Sequence, residues 1–269
     1  MSNNKVHQLF QKTAIDSASW DLLNFVNQSN PRILAFLNAH AINNAVRNHR
    51  FADLLLSCDM LLRDGIGVKI GLKILGLGET SNLNGTDLIT KILNELKDKR
   101  IAIFGSSDVT LQKTKNKLES NGFKNICSIV HGFHTNTAYM DEVAKHEPEL
   151  VILCMGMPKQ ELLANEIHSI AHQSLVICAG GWADFYSETK PRAPLWMRKI
   201  SLEWLFRLVK EPKRLGKRYT VDIIYYFYVI LKTLYHQSKK RINAIPLPIK
   251  TENWGKDTLE SSVYPASND

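Results

Sequence analysis

The chain has little of what builds disulfide scaffolds or metal centres. Its four cysteines, Cys58, Cys127, Cys154 and Cys178, stand far apart and form no CxxC pair, which argues against a zinc ribbon and for buried thiols in a reducing compartment. His168 and His172 stand four apart in HSIAH, but the glutamate of an HExxH site is missing, and His131 and His134 fall in an expected loop. No DxD follows an apolar strand, so a metal-held sugar diphosphate is not indicated, and neither a metal nor another cofactor is expected. A Gly-x-Ser-x-Gly elbow, a Walker loop and a complete GxGxxG are also missing. No run reaches the ~20 apolar residues that cross a bilayer, and the N-terminal MSNNKVHQLFQK lacks the apolar centre of a secretory signal. A cytoplasmic protein is expected.

What is present bounds a globular protein with an anionic partner. The hydrophobic share is 44% of 269 residues, enough for a full core. A net charge of +8 and a pI near 9.2 favour nucleic acid, a phosphorylated substrate or acidic lipid. The basic residues thicken between Arg192 and Arg241.

From Arg100 onward, short apolar runs alternate with polar-rich helical segments. IAIFGSS, FKNICSIVHGF, ELVILCMGMP and SLVICAGG read as strands, with helices over Val109–Glu119, Thr135–His146 and Lys159–His172 between them. Earlier, PRILAFLNAH reads as a strand ending at Asn38, DMLLRDGIG as one ending at Asp64, and NGTDLITKILNELK as a helix. This alternation predicts an α/β, Rossmann-like, doubly wound and mainly parallel sheet over residues 1–191, with ligands at the carboxyl ends of its strands. After Pro194 the chain turns helical through Leu202, Leu205 and Leu208, with Pro212 expected to interrupt it. Residues 192–244 form a basic, aromatic helical appendage, and 245–269 read as a disordered tail.

Three strand ends carry polar groups. Asp64, followed by Gly65 and flanked by Leu61, Leu62 and Ile66, is either a helix cap or a desolvated carboxylate able to act as a base. Gly105 and Ser106 form either a plain βα turn or a junction whose N–H groups hold a phosphate or a uracil carbonyl. After Gly156, the triplet Lys159, Gln160 and Glu161 opens a helix, either directed at the strand tips or on the surface.

In the appendage, Arg207, Arg214 and Arg218 share a face at helical spacing and form either a diphosphate clamp or a solvated face balanced by Glu203 and Glu211. The run IIYYFYVIL from Ile223, bracketed by basic residues, is read as a helix lying on a membrane surface; a core or oligomer helix is the alternative.

Taken together, LNAHAINNA, LRDGIGV, NGTDL, FGSS, GMPKQE, GGWADF and above all RAPLWM–LEWLFRL–EPKR–RY resemble the WecG/TagA/CpsF glycosyltransferase family. The matching pieces cover Arg32 to Tyr219. The resemblance implies metal-independent, inverting transfer of a sugar from a UDP-sugar to a polyprenyl-diphosphate-linked saccharide for surface polysaccharide, on a Rossmann-like domain whose appendage docks at the inner face of the cell membrane. It implies N-acetylmannosamine, its uronic acid, glucose or glucuronate as the sugar. Asp64 matches the proposed base, Asn38 a pocket residue, and Arg207 and Arg214 the appendage arginines that hold diphosphate; with Arg218, which shares their face, they are expected to bind the lipid diphosphate, although Arg218, like Lys213, reads more as a surface charge. The matching motifs place Gly65, then Asn84, Gly85, Thr86 and Asp87, then Gly105 and Ser106, in the substrate site. Gly156, Lys159, Gln160, Glu161, Asp184 and Arg192 join them there. The chain departs from the family at Phe36, where relatives often have Thr, at Asn82, often Arg, and at Glu188, usually Gly.

Two rivals stay open: a non-catalytic nucleotide-sugar-binding scaffold of a polysaccharide assembly complex, and a basic nucleic-acid binder. The second is disfavoured because the tyrosine-rich run offers aliphatic bulk rather than spaced stacking platforms; no nucleic-acid partner is expected, and a homo-oligomer is compatible with the sequence.

Overall fold

The computed structural model describes residues 3–13, 25–26, 32–78, 85–171 and 173–243. Asn82, Asn84, His172 and the tail over 245–269 lie outside them. Six strands form one parallel sheet: β1 Arg32–Leu37, β2 Met60–Arg63, β3 Ile101–Gly105, β4 Ile126–Val130, β5 Leu150–Cys154 and β6 Leu175–Cys178, in the order β2-β1-β6-β5-β3-β4. All but β4 are buried along their length, as continuous apolar runs require when helices cover both faces.

Because side chains alternate across a strand, each run feeds two cores. Ile33, Ala35 and Leu37 of β1, with Val151 and Leu153 of β5, face one core; Leu34 and Phe36, with Leu150 and Ile152, face the other. The first core lies under α1 (Asn3–Thr13), α2 (Ala39–Arg47), α3 (His49–Ser57), α4 (Ile66–Ile74) and α8 (Lys159–Ile170), and takes Tyr139 and Val143 from α7 (Asn136–His146). The second lies under α5 (Gly85–Glu95), α6 (Asp108–Ser120) and the short α9 (Trp182–Tyr186).

Gly105 fixes where β3 can end. Its φ is +119°, and a Cβ there would sit 2.3 Å from the carbonyl oxygen of Cys154 on the neighbouring strand. No side chain fits, and a backbone neighbour cannot rotate away.

The C-terminal part, expected as a helix interrupted at Pro212 and a second, aromatic helix, is four helices: α10 Leu195–Lys199, α11 Glu203–Lys210, α12 Pro212–Tyr219 and α13 Val221–Asn243. Ser201, at φ +61°, turns the chain between α10 and α11. Pro212 interrupts as expected, and does so by opening α12, where its missing N–H has no partner to lose.

The aromatic run divides by helical face. Tyr226, Val229, Ile230 and Thr233 of α13 are buried, the first three in the first core, whereas Ile224, Tyr228, Leu231 and Tyr235 are exposed at i, i+4, i+7 and i+11. The Tyr226 hydroxyl donates to the Gly67 carbonyl at 2.8 Å, and a Cβ on Gly71 would lie 2.5 Å from that hydroxyl oxygen. The core and surface readings of the run thus each describe one side of α13. Among the described residues no helix is long and apolar enough to cross a membrane.

Candidate active site

A cleft of 760 Å³ opens at the carboxyl ends of β1, β2, β5 and β6, and α11, α12 and the start of α13 close over it. This is where an open α/β sheet gathers its ligands.

Asp64 follows β2 directly, and its own N–H donates to Leu37 O at 2.8 Å. The residue capping α4 is Gly65, without a side-chain bond, so Asp64 does not cap that helix. Its carboxylate accepts from the Gly85 N–H at the start of α5 and from the Asn38 side chain. Asn38 is the N-cap of α2, its Oδ1 accepting from Ala41 N at 3.0 Å. The helix thus holds the Asn38 oxygen, while the Asn38 side chain favours the charged form of Asp64. Burial raises the Asp64 pKa; Arg207, the Gly85 N–H and Asn38 oppose the rise, while Glu203 adds to it.

The arginines differ in their surroundings. The Arg207 guanidinium lies over the Phe185 ring, 4.5 Å from its centre, and lines the cleft. Arg214 also lines it but is exposed and ion-paired with Glu211. Arg218 corrects the surface reading: it is half-buried in the cleft wall, and burial, with Arg207 and Arg214 nearby, lowers its pKa. Lys213 is exposed, as expected. Pro212 resets the helix axis between Arg207 and the other two, and the fold brings all three to one cleft.

The Gly-Ser turn is not a ring of open N–H groups. Ser106 N donates to Cys154 O at 2.9 Å, and its hydroxyl donates to Asp184 Oδ1 at 2.9 Å. Asp184 also pairs with Lys190 at 2.9 Å, and Lys190 with Glu211 at 3.5 Å. A chain of polar contacts thus runs from the end of β3 to α12 along the cleft rim. Ser106 and Asp184 face the cleft; Gly105 lies beneath it as a packing residue.

The triplet that opens α8 splits three ways. Lys159 Nζ turns to Gly132 O and His134 O at 3.0 and 3.2 Å, outside the cleft. Gln160 is buried and lines the cleft floor with Gly156. Glu161 is buried behind it and is not a surface residue. Burial pushes the Glu161 pKa up to about 7, against hydrogen bonds from Gln160 and its own N–H. A carboxyl that binds its proton more tightly when folded loses stability as pH rises from the unfolded value of 4.5 to about 7. We expect the stability difference between wild type and Glu161→Gln to change by about 3 kcal/mol across that window and to be flat above it, measured by urea unfolding.

Gly65, Gly85 and Thr86 line the cleft. Asp87 and Arg192 lie behind it, joined at 2.6 Å, with Arg198 3.5 Å from the same carboxylate. This ion pair ties α10 and the segment before it to α5. Glu188 has φ +59° and is exposed and paired with Lys117 at 2.5 Å, outside the cleft lining. A position that favours glycine is therefore held by a charged residue away from the cleft.

Sequence reading missed His40, Lys190 and Tyr219, which all line the cleft. Burial first, and the Arg218 charge second, lower the His40 pKa. Its place two residues after Asn38, in the first turn of α2, is the signal that could have found it. His131 and His134 stack at 4.1 Å elsewhere, beside a separate hollow with Asp108 and Glu142. Among the described residues no group of three His, Cys, Asp or Glu side chains is placed to hold a metal ion.

The chain is 27% identical, over 71% of its length and 76% of the relative's, to the N-acetylglucosaminyldiphosphoundecaprenol N-acetyl-beta-D-mannosaminyltransferase of Bacillus spizizenii. It is 26% identical to the protein of the same name from Bacillus subtilis, over the same shares of both chains. The model of the Glycosyl transferase WecG/TagA/CpsF family matches residues 5–240, nearly the whole described structure, and the chain belongs to that family.

Proposed function

We propose that this protein transfers N-acetylmannosamine from its UDP-sugar to a polyprenyl-diphosphate-linked N-acetylglucosamine, with inversion and without a metal. The observation that carries the reading is the meeting, in one cleft, of the half-buried carboxylate that follows β2 with arginines from α11 and α12. The relatives' names supply the sugars.

In this reading Asp64 removes the proton of the acceptor hydroxyl as that oxygen attacks the anomeric carbon. The bond from that carbon to the diphosphate breaks, and UDP leaves with the electron pair. Guanidinium groups bind diphosphate oxygens in bidentate fashion, so Arg207 and its neighbours stabilise the charge that develops there. The raised pKa of Asp64 suits a base that must accept a proton during the step. The test is incubation with UDP-N-acetylmannosamine and a short-chain N-acetylglucosaminyl-diphospholipid in EDTA. Formation of the disaccharide lipid and UDP is expected; binding of the nucleotide sugar without any product would favour the scaffold reading.

The acceptor is a lipid, and α10–α13 carry the surface to meet it. Trp196, Ile200, Val209, Ile224, Tyr228 and Leu231 are exposed, beside exposed Lys199, Lys210 and Lys232. Such a face docks peripherally on an anionic bilayer. Val209→Asp with Ile224→Asp should weaken sedimentation with phosphatidylglycerol vesicles by at least about tenfold, since each apolar side chain contributes 1.5 kcal/mol or more on burial. Unchanged binding would remove this surface from the account.

A further inference from the structure

At the cleft floor, Gln160 and, behind it, Glu161 form a buried pair that meets the turn after β6. Gln160 is 1% and Glu161 2% exposed. Gln160 Nε2 donates to Glu161 Oε1 at 2.8 Å, and Gln160 Oε1 accepts from Gly180 N at 3.0 Å. The two ends of a side-chain amide are not interchangeable, because one only donates and the other only accepts. Glu161 takes the donor end and so compels the oxygen to face the Gly180 N–H.

That N–H belongs to the turn Ala179–Gly180–Gly181, which lines the cleft and leads into α9. A Cβ on Gly181 would lie 3.9 Å from Arg207 Nη2, and Arg207 rests on Phe185 of the same α9. The turn is therefore held from below by Gln160 and carries on its other side the seat of Arg207.

We propose that Glu161 is a positioning residue for donor binding: by fixing the orientation of the Gln160 amide it sets the Gly180 turn, and through that turn the place of Arg207. Glu161 itself does not line the cleft. Burial holds its proton up to about pH 7, and a neutral carboxyl still offers the carbonyl oxygen that Gln160 needs. Were the acceptor missing, the amide could turn its NH₂ toward the Gly180 N–H, placing donor against donor.

The proposal rests on the cleft being the donor site, and the test separates the two ideas. Glu161→Leu keeps the volume and removes the acceptor, Glu161→Gln keeps an acceptor oxygen, and Gln160→Met removes the amide. Hydrogen exchange at the Gly180 amide, which needs no substrate, should quicken roughly tenfold in Glu161→Leu and Gln160→Met, the worth of one such bond, and stay near wild type in Glu161→Gln. The kcat/KM for donor should fall by about tenfold in Glu161→Leu and in Gln160→Met and stay near wild type in Glu161→Gln, and Glu161→Leu with Gln160→Met should add nothing further, because Glu161 acts through Gln160. Wild-type exchange in Glu161→Leu and Gln160→Met, or additive kcat/KM effects in the double variant, would overturn the proposal. If no UDP-sugar is turned over by wild type, the proposed reaction fails while the exchange result still decides the Glu161 role. Should Glu161→Leu not fold, Gln160→Met and Glu161→Gln carry the same comparison.

Discussion

Asp64→Asn should lower kcat by about a hundred- to ten-thousand-fold, the range for loss of a positioned general base, while the donor KM stays within a few fold. The substitution keeps the shape of the side chain and an oxygen to accept from the Gly85 N–H, and it removes only the ability to take a proton. Folding does not suffer by it. Burial raises the Asp64 pKa, so its ionised form is less favourable in the folded chain than in the unfolded one. Above the ordinary carboxylate range the charge therefore reduces stability, and the asparagine variant should melt at the same temperature or higher at pH 8. Loss of turnover with no loss of melting temperature identifies chemistry rather than unfolding. Turnover preserved in Asp64→Asn would mean the proton goes elsewhere.

Arg207→Met is the second large effect, and it has two signatures. The apolar stem can still rest on Phe185, but the charge that meets the leaving diphosphate is gone. Loss of one such stabilising donor costs about 2.7–4 kcal/mol in the transition state, so kcat/KM should fall about a hundred- to a thousand-fold. The second signature is in the pH profile. The Arg207 charge is foremost among the influences that lower the Asp64 pKa against burial. Without it the carboxyl keeps its proton to higher pH, and the acid limb of kcat/KM should move toward alkaline pH. An unshifted limb would separate Arg207 electrostatically from Asp64, whatever the fall in rate.

The sheet was legible because its strands are buried on both faces and read as unbroken apolar runs, such as IAIF and LVILC, with a glycine within two residues of each. Asp64 and Asn38 were legible as strand ends, where such a fold binds, but pattern left Asp64 between cap and base and only the family resemblance singled out Asn38. The appendage was harder. Pattern alone leaves Arg218 between a diphosphate clamp and a surface charge, and only the packing of α12 on α11 and α13 brings it to the cleft wall. Pattern leaves Glu161 between the strand tips and the surface, and its burial comes from packing of α8 on β6 and β1, distant in sequence. The Ser106 N–H looked open until its partner, Cys154 O on a neighbouring strand, was in view. Contacts between elements decide all three, and local sequence does not encode them.

In the proposed reaction one cleft, at the end of β2 and under α11–α13, performs a single displacement with Asp64 as base. The configuration of the product made from UDP-α-N-acetylmannosamine, read from the one-bond carbon–proton coupling at the new anomeric centre, decides it. A β-linked disaccharide is expected from wild type. An α-linked product would contradict it, since retention needs either a second displacement or front-face attack, and neither follows from one carboxylate acting on the acceptor hydroxyl.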